Sequence, residues 1–405
     1  MFNSIQLFGL VLLGGLAAGE VSRRLFALPR TTGYVLFGLL VGQSGLNWVT
    51  PLHIESAQLF IDLGLGLILF ELGYLVPRTS AQSVRNRLLA GCALSLLAGL
   101  LVLMLFLYWG FSSGSALFAA ALCVATSPAI TIATCSDVGA KGERTGLLYT
   151  MVAINGAVAF AAVVLLVPFL IDSEPMSGFA RVSSALGSIF GSVILGGACA
   201  GVVLLGADRL ERQAEHQHLL ILGTIVLGVG TAIFLGVSVF LPMLIFGILV
   251  NTIDRERKVI AIRIASDARV FLVITFVLAG AALDIAYLRD YWLETFLIVA
   301  VRLTGQLLVI LLARQGLGLT VRESLFLGVG LQPMSSIALV LLVNTQMLYG
   351  GMDETLVGML MATILLMQLF GPLATQTAIK GFGEASKLFP PGKAGALAEN
   401  NGGVP

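Results

Sequence analysis

The stretch "ETFLIVAVRLTGQLLVILLAR" (294–314) holds a single arginine, Arg302, midway between the charges that bound it. Arginine keeps its charge at any physiological pH, and a charge at the centre of a bilayer costs about 2.5–3.5 kcal/mol on insertion scales. Such residues usually face the interior of a helix bundle and mark the path of a solute. Arg302 therefore predicts a membrane transporter whose functional site lies close to this side chain.

The composition of the whole chain agrees with a membrane protein. Of its 405 residues 58% are hydrophobic and only 11% are charged, whereas a soluble protein has about 25% charged residues. The formal net charge of +1 gives no indication of nucleic-acid binding. The sequence shows no phosphate-binding loop, hydrolytic triad or metal-ligand spacing, so we predict no enzyme activity, no cofactor and no metal site.

Thirteen apolar runs are long enough, or nearly so, to be membrane spans. A helix needs about 20 mostly apolar residues to cross the hydrocarbon core. Runs between charged or Gly/Pro breaks give the predicted spans 4–21, 31–49, 57–77, 87–110, 115–136, 145–170, 182–206, 217–235, 237–251, 268–287, 291–313, 323–347 and 354–377.

The basic residues divide cleanly between the two sides of this arrangement. All but three of the 23 Lys and Arg residues lie in odd-numbered connections or in the C-terminal tail; the exceptions are Arg181, Arg289 and Arg302. Basic residues mark the cytoplasmic side, and one span more or fewer would destroy this segregation. We predict a cell-membrane protein with its N-terminus outside and its C-terminus in the cytoplasm. Residues 1–377 form the transmembrane domain, and residues 378–405 form a short flexible tail rich in Gly, Pro and Ala.

Two of the predicted spans carry a proline in the middle, next to polar residues. Span 5 has Pro128 behind Thr126 and Ser127, and span 12 has Pro333 behind Gln332 and ahead of Ser336. Proline breaks helical hydrogen bonds, and within lipid the freed carbonyl groups need new partners. These prolines predict two discontinuous helices.

The two breaks are seven spans apart, so the helices that carry them run in opposite directions. This is the pattern of an inverted repeat that relates spans 2–6 to spans 9–13. Broken helices at corresponding positions of two repeats are typical of a substrate site at the membrane midplane.

The sequence as a whole resembles the membrane domain of the monovalent cation:proton antiporter-2 family, within the sodium/proton exchanger superfamily. The resemblance rests on the order of segments between about residues 5 and 377. They are "EVSRRLFALPRTTGYVLFGLLVG" (20–42), "IDLGLGLILFELG" (61–73), "ATSPAI" (125–130), "DVGAKGERTGLLYTMVAINGAVAF" (137–160), "GVSVFLPMLIFGILV" (236–250), "FLVITFVLAGAALDIAYL" (271–288) and "RESLFLGVGLQPMSSIALVL" (322–341).

The resemblance implies a homodimer in the lipid membrane, in which each protomer has a dimerisation part and a mobile core around spans 3–6 and 10–13. It implies that the two discontinuous helices cross in this core. It also implies exchange of a monovalent cation for protons at carboxylates of span 6, beside a basic residue of span 11 that corresponds to Arg302. The predicted substrate or ion site comprises Thr126, Ser127, Asn155, Arg302, Gln332 and Ser336.

The chain departs from this family pattern at the ion site itself. The family's span 6 usually has two consecutive polar residues, the second an aspartate, where this chain has Asn155 and Gly156. An asparagine can offer its carbonyl oxygen to a cation, but it holds no exchangeable proton. A family glutamate position in span 12 is Ser336 here. A proton and a cation therefore cannot compete for a carboxylate at these positions.

Two acids of span 3, Asp62 and Glu71, are the candidate proton carriers. They are about 13.5 Å apart along a helix and on opposite faces. Each could instead be an interfacial acid, Asp62 near the outer end of the span and Glu71 deeper.

Three functions remain open at the level of the sequence. The first is exchange of Na⁺ or K⁺ for H⁺, with Glu71 or Asp62 in place of the missing aspartate. The second is transport of a small anion or zwitterion centred on Arg302, which has lost its expected counter-charge. The third is a degenerate family member that transports nothing.

Overall fold

The computed structural model describes residues 4–170, 178–209, 214–254, 264–334, 338–339, 341–342, 345 and 352–386. These residues form an all-helical protein. The helices are α1 (Ser4–Phe26), α2 (Arg30–Val41), α3 (Pro51–Ser56), α4 (Gln58–Leu75), α5 (Ala81–Tyr108), α6 (Ser113–Val124), α7 (Pro128–Val138), α8 (Glu143–Leu170), α9 (Gly178–Arg209), α10 (Ala214–Phe234), α11 (Phe240–Ile253), α12 (Ile264–Ala281), α13 (Ile285–Asp290), α14 (Trp292–Leu317), α15 (Val321–Gly330) and α16 (Glu354–Phe382).

Eight helices of the described part are long and apolar enough to cross a membrane, and four shorter apolar helices accompany them. This confirms the predicted class of an all-helical polytopic membrane protein. The count of thirteen spans and the sidedness of the termini stay predictions.

The helices pack in two groups. The first group contains α1, α2, α4 and α9–α12, and the second contains α5–α8 and α14–α16. Spans 3 and 10, which correspond to α4 and α12, therefore pack mainly in the first group rather than with the broken helices, as the predicted core of spans 3–6 and 10–13 would require. The six spans of the second group, 4–6 and 11–13, are those that surround the broken helices.

Close glycine contacts explain why α4 and α12 belong to the first group. Gly73 of α4 faces Gly247 of α11, and Gly38 of α2 faces Gly280 of α12. A Cβ atom at any of the four would lie between 2.1 and 2.4 Å from a carbonyl oxygen of the facing helix. Small residues allow membrane helices to approach this closely, so these two crossings hold the first group together.

The chain leaves the helical conformation beside both prolines. Helix α6 ends at Val124, and α7 begins at Pro128 with Ser127 as its N-cap, whose Oγ accepts from the backbone N–H of Ile130 at 3.2 Å. Helix α15 ends at Gly330, ahead of Pro333. Both interruptions lie where the sequence predicts them, because proline can occupy the first turn of a helix but not its interior.

The last helix extends past the predicted end of the membrane domain at residue 377 and stops at Phe382. The next residues are held by hydrogen bonds to the second group. The backbone N–H of Lys141 donates to the carbonyl of Glu384 at 3.1 Å, and that of Ser386 donates to Val138 at 3.1 Å. The remainder of the predicted tail, from residue 387, lies outside the described residues.

Candidate functional site

The two helix breaks lie against each other in the second group. The backbone N–H of Ser127 donates to the carbonyl of Pro333 at 2.8 Å, and Thr126 and Met334 form an isolated antiparallel bridge. The Thr126 hydroxyl donates to the carbonyl of Leu331 at 3.2 Å. Each break thus supplies hydrogen-bond partners to the other, as backbone within a membrane protein requires.

Arg302 lies on α14, fully buried, and its guanidinium binds the carbonyl groups of both breaks. Its Nη2 donates to Ala125 at 3.3 Å and to Leu331 at 3.2 Å, while its Nη1 donates to the backbone carbonyl of Gln332. Ala125 and Leu331 directly follow the last residues of α6 and α15. Helix C-termini have free carbonyls and a partial negative charge, so two helix ends together balance the charge of this arginine.

A buried glutamine that the sequence reasoning missed completes the surroundings of Arg302. Gln306 lies one turn further along α14, and its Oε1 accepts from Nε2 of Gln332 at 2.6 Å. The Oε1 of Gln332 is 3.5 Å from Nη1 of Arg302. The spacing of four residues between Arg302 and Gln306 places them on one helix face, and that signal was available in the sequence.

Asn155 connects α8 to the breaks through a chain of hydrogen bonds. Its Nδ2 donates to Thr126 Oγ1 at 3.3 Å, and its Oδ1 accepts from the hydroxyl of Ser95, on α5, at 3.1 Å. Asn155 and Thr126 have no exposed surface, and Ser95 is buried. The structure therefore brings Thr126, Ser127, Asn155, Arg302 and Gln332 together, while Ser336 lies outside the described residues.

The two candidate proton carriers lie on α4, in the first group of helices. Asp62 accepts from the side chain of Gln58 at 3.0 Å. Glu71 has a buried Oε2 atom without a hydrogen-bond partner. Within the described part of the chain, no carboxylate forms an ion pair or a hydrogen bond with Arg302 or Asn155.

The position beside Asn155 is occupied by an aromatic ring from the other group of helices. A Cβ atom on Gly156 would lie 2.5 Å from Cζ of Phe240, on α11. The Phe240 ring stacks on Phe160, one turn further along α8, with centroids 5.8 Å apart. The space that a side chain at position 156 would need is therefore filled.

A family profile described as "Sodium/hydrogen exchanger, transmembrane" matches residues 8–380. The chain belongs to the sodium/hydrogen exchanger family. This confirms the resemblance to the sodium/proton exchanger superfamily, and together with the apolar helices it makes this exchanger homologue an integral, multi-pass membrane protein of a transporter family. No protein of curated function matches the chain significantly.

Two solved structures share the fold of this exchanger homologue. One is the sodium proton antiporter MjNhaP1 from Methanocaldococcus jannaschii at pH 8, which is 20% identical over 94% of this chain and 99% of that chain, with a TM-score of 0.68. The other is an electron-microscopy map of the same antiporter, 19% identical over 99% of each chain, also with a TM-score of 0.68.

Proposed function

We propose that the chain is a secondary transporter that exchanges a monovalent cation, Na⁺ or K⁺, for protons by alternating access. Its site lies at the midplane, near Asn155 and Arg302. One observation carries the proposal: two helix breaks pair with each other, and Asn155 adds a side-chain oxygen to their carbonyl and hydroxyl oxygens. Unwound backbone at paired breaks is where transporters of inverted-repeat folds bind Na⁺ and H⁺.

The cation side of the exchange uses neutral oxygens. Asn155 Oδ1, Thr126 Oγ1 and the carbonyls of the breaks are buried and close together. Arg302 does not prevent cation binding here, because its donors are directed at helix-end carbonyls.

The proton side must use an acid outside this cluster. Glu71 is the better candidate because its Oε2 atom is buried and unpartnered, whereas Asp62 already accepts a hydrogen bond from Gln58. A buried carboxyl group without a partner favours its neutral, protonated form. Proton binding at Glu71 and cation binding near Asn155 would then be coupled through the packing of α4 against α7 and α8.

Alternating access requires the second group of helices to move against the first. At one end of the molecule the two groups are joined by an ion pair between Arg30, at the start of α2, and Asp137, at the end of α7, with N and O 2.9 Å apart. This pair would break and re-form in each cycle. We place the protein in the cell membrane with its N-terminus outside and its C-terminus in the cytoplasm.

We also propose that the protein is a homodimer, with α9 in the contact between protomers. Gly197 and Gly201 of this helix have no atom within 4 Å of an added Cβ, so the small residues on this face are free to pack against a second copy.

The structure weakens the motive for the anion alternative. That alternative needs Arg302 to be without a counter-charge, but the two helix ends supply one. A non-transporting member is the stronger second candidate, because Phe240 fills the space beside Gly156 where the family pattern expects a carboxylate.

The test is proton flux in proteoliposomes driven by a gradient of Na⁺ or K⁺ and followed with an internal pH-sensitive dye. We expect flux in the wild type, a strong decrease in Glu71→Gln, and no change in Glu55→Gln, which alters an exposed acid on the neighbouring helix α3. Asp62→Asn tests the other acid.

If neither gradient drives protons in the wild type, the exchange proposal is wrong. Uptake of a labelled small anion in the same vesicles would then favour the anion alternative. The absence of every flux would favour the non-transporting one.

A further inference from the structure

A cavity of about 470 Å³ lies between the two groups of helices, on the side of α8 that faces α11. Ala153, Ala157 and Ala161 of α8 form one wall, and Leu241, Leu244 and Ile248 of α11 form the opposite wall. Side chains of α5 and of the segment after α4 close the remaining sides. The volume lies within the range of about 300–1,000 Å³ that is typical of ligand pockets.

One end of this α8–α11 cavity has two polar atoms that lack partners. Arg87, near the start of α5, lines the cavity and is only 7% exposed, yet its Nη1 has no hydrogen-bond partner. The hydroxyl of Thr79 lines the same cavity and is also buried and unpartnered. A buried charge without a partner is strongly unfavourable, so this end of the cavity is suited to an anionic group.

The charged residues around Arg87 do not supply that anion. Glu143 and Arg144, in the first turn of α8, both act on Arg87 electrostatically, and their charges oppose each other. Glu143 is 76% exposed and lies 4.0 Å from Arg144, while Arg144 is paired with Glu323 at 2.8 Å. Neither residue forms an ion pair with Arg87 within the described part of the chain.

We propose that the cavity binds an anionic phospholipid, with its phosphate at Arg87 and Thr79 and one acyl chain between α8 and α11. Arginine binds phosphate oxygens through two parallel N–H donors, and a hydroxyl group adds a third. The apolar walls match an acyl chain and give no ligand to a hydrated ion. Leu88 lines the cavity and is 48% exposed, so the cavity opens toward the lipid-facing side of α5.

The position of the cavity along the membrane agrees with this ligand. Arg78, Arg85 and Arg87 belong to one of the basic connections that we predict to be cytoplasmic. Anionic lipids are concentrated in the cytoplasmic leaflet and attract basic segments there.

A bound acyl chain has a consequence for transport, and this consequence rests on the proposed function. Helix α8 belongs to the second group and α11 to the first. A chain inserted between them would hold the two groups in the present arrangement. Lipid binding itself needs no transport, so a binding measurement tests the lipid site even if the transport proposal fails.

The experiment is native mass spectrometry of the purified full chain in detergent, titrated with phosphatidylglycerol or phosphatidylcholine. We expect tighter binding of phosphatidylglycerol. In Arg87→Gln its affinity should fall at least about tenfold, because a charge-assisted hydrogen bond is lost. Arg87→Lys should retain part of the affinity, and Arg85→Gln, which alters an exposed arginine two residues away, should retain all of it.

Two further measurements place the lipid in the cavity. Ala157→Phe fills the space between α8 and α11 and should reduce phosphatidylglycerol binding while leaving Arg87 intact. Phosphatidylglycerol with a photoreactive group in its acyl chain should label residues 153–161 and 241–248 of the wild type.

The proposal is wrong if Arg87→Gln and Arg85→Gln bind phosphatidylglycerol equally well, or if the photoreactive chain labels only outward-facing surfaces. It is also wrong if inorganic phosphate competes at the same concentration as the lipid, because the acyl chain would then contribute nothing. Should Arg87→Gln fail to fold, the labelling of the wild type decides alone.

Discussion

Two neighbouring residues of α8 face opposite chemical environments. Asn155 points to the helix breaks and takes part in a fully buried chain of hydrogen bonds. Gly156, about 100° further round the helix, faces Phe240 of α11 and lies beside the apolar cavity. The polar face keeps the architecture of an ion site, and the apolar face has lost the carboxylate that the family pattern places there.

The difference between the faces shows that architecture and proton chemistry can be separated in this fold. Arg302 holds the ends of α6 and α15 through their carbonyls, and this role needs no carboxylate nearby. The breaks can therefore persist when the acid is lost. Four substitutions would break or sharpen this comparison.

Arg302→Met should have the largest effect, because it removes the donors to Ala125, Leu331 and Gln332 in a buried site. Each buried carbonyl left without a partner costs about 1–3 kcal/mol, so we expect a loss of at least about 3 kcal/mol in the free energy of unfolding. Unfolding in mixed micelles measures it. Arg289→Met, which removes an exposed guanidinium, is the control. Equal stability of the two variants would refute the structural role of Arg302.

Gly156→Asp should be destabilising by about 1–3 kcal/mol, because overpacking a buried site forces neighbouring atoms to shift. Phe240→Ala makes room for the new side chain. The double variant should therefore lose less stability than the sum of the two single variants, and a double-mutant cycle measures this coupling. Additive effects would mean that Phe240 does not fill the space beside Gly156.

Asn155→Ala should lower the free energy of unfolding by about 1–2 kcal/mol, because two hydrogen bonds are lost. It should also abolish any cation-driven proton flux, since the side-chain oxygen of the site disappears. Thr150→Ala is the control on the same helix, as its hydroxyl bonds only to the carbonyl of Gly146. If Asn155→Ala transports normally, the polar face of α8 is structural and the site lies elsewhere.

Glu384→Gln should have the smallest effect. Its carboxylate accepts from the backbone N–H groups of Arg144 and Thr145, at 2.9 and 2.7 Å, and so caps the start of α8. Loss of its charge near a helix N-terminus should cost about 0.3–1 kcal/mol. Hydrogen exchange at residues 144–148 should accelerate, with the exposed residue Glu143, changed to Gln, as the control. Unchanged exchange would show that the cap does not stabilise α8.

Much of the site was predictable because it rests on residues with few alternative explanations. An arginine within an apolar span and prolines beside polar residues led directly to Arg302, Thr126 and Gln332. The hydrogen bond between Asn155 and Thr126 follows the predicted proximity of spans 5 and 6.

The partners of Arg302 could not be predicted, since they are backbone carbonyls and every residue has one. The grouping of α4 with α11 was missed for a similar reason. It depends on how closely Gly73 and Gly247 approach each other, and a sequence does not show which glycines face each other. The space filled by Phe240 likewise depends on a contact between residues that are far apart in the chain.

The hydrogen bonds of Glu384 and Ser386 determine what a label at the carboxyl end reports. Because Ser386 bonds to Val138 and Gly139, the chain departs from the helices that contain the breaks and not from the glycine-packed ones. A fluorophore attached after Ser386, paired with a quencher near Arg24 of α1, will therefore register the displacement of one half of the molecule relative to the other.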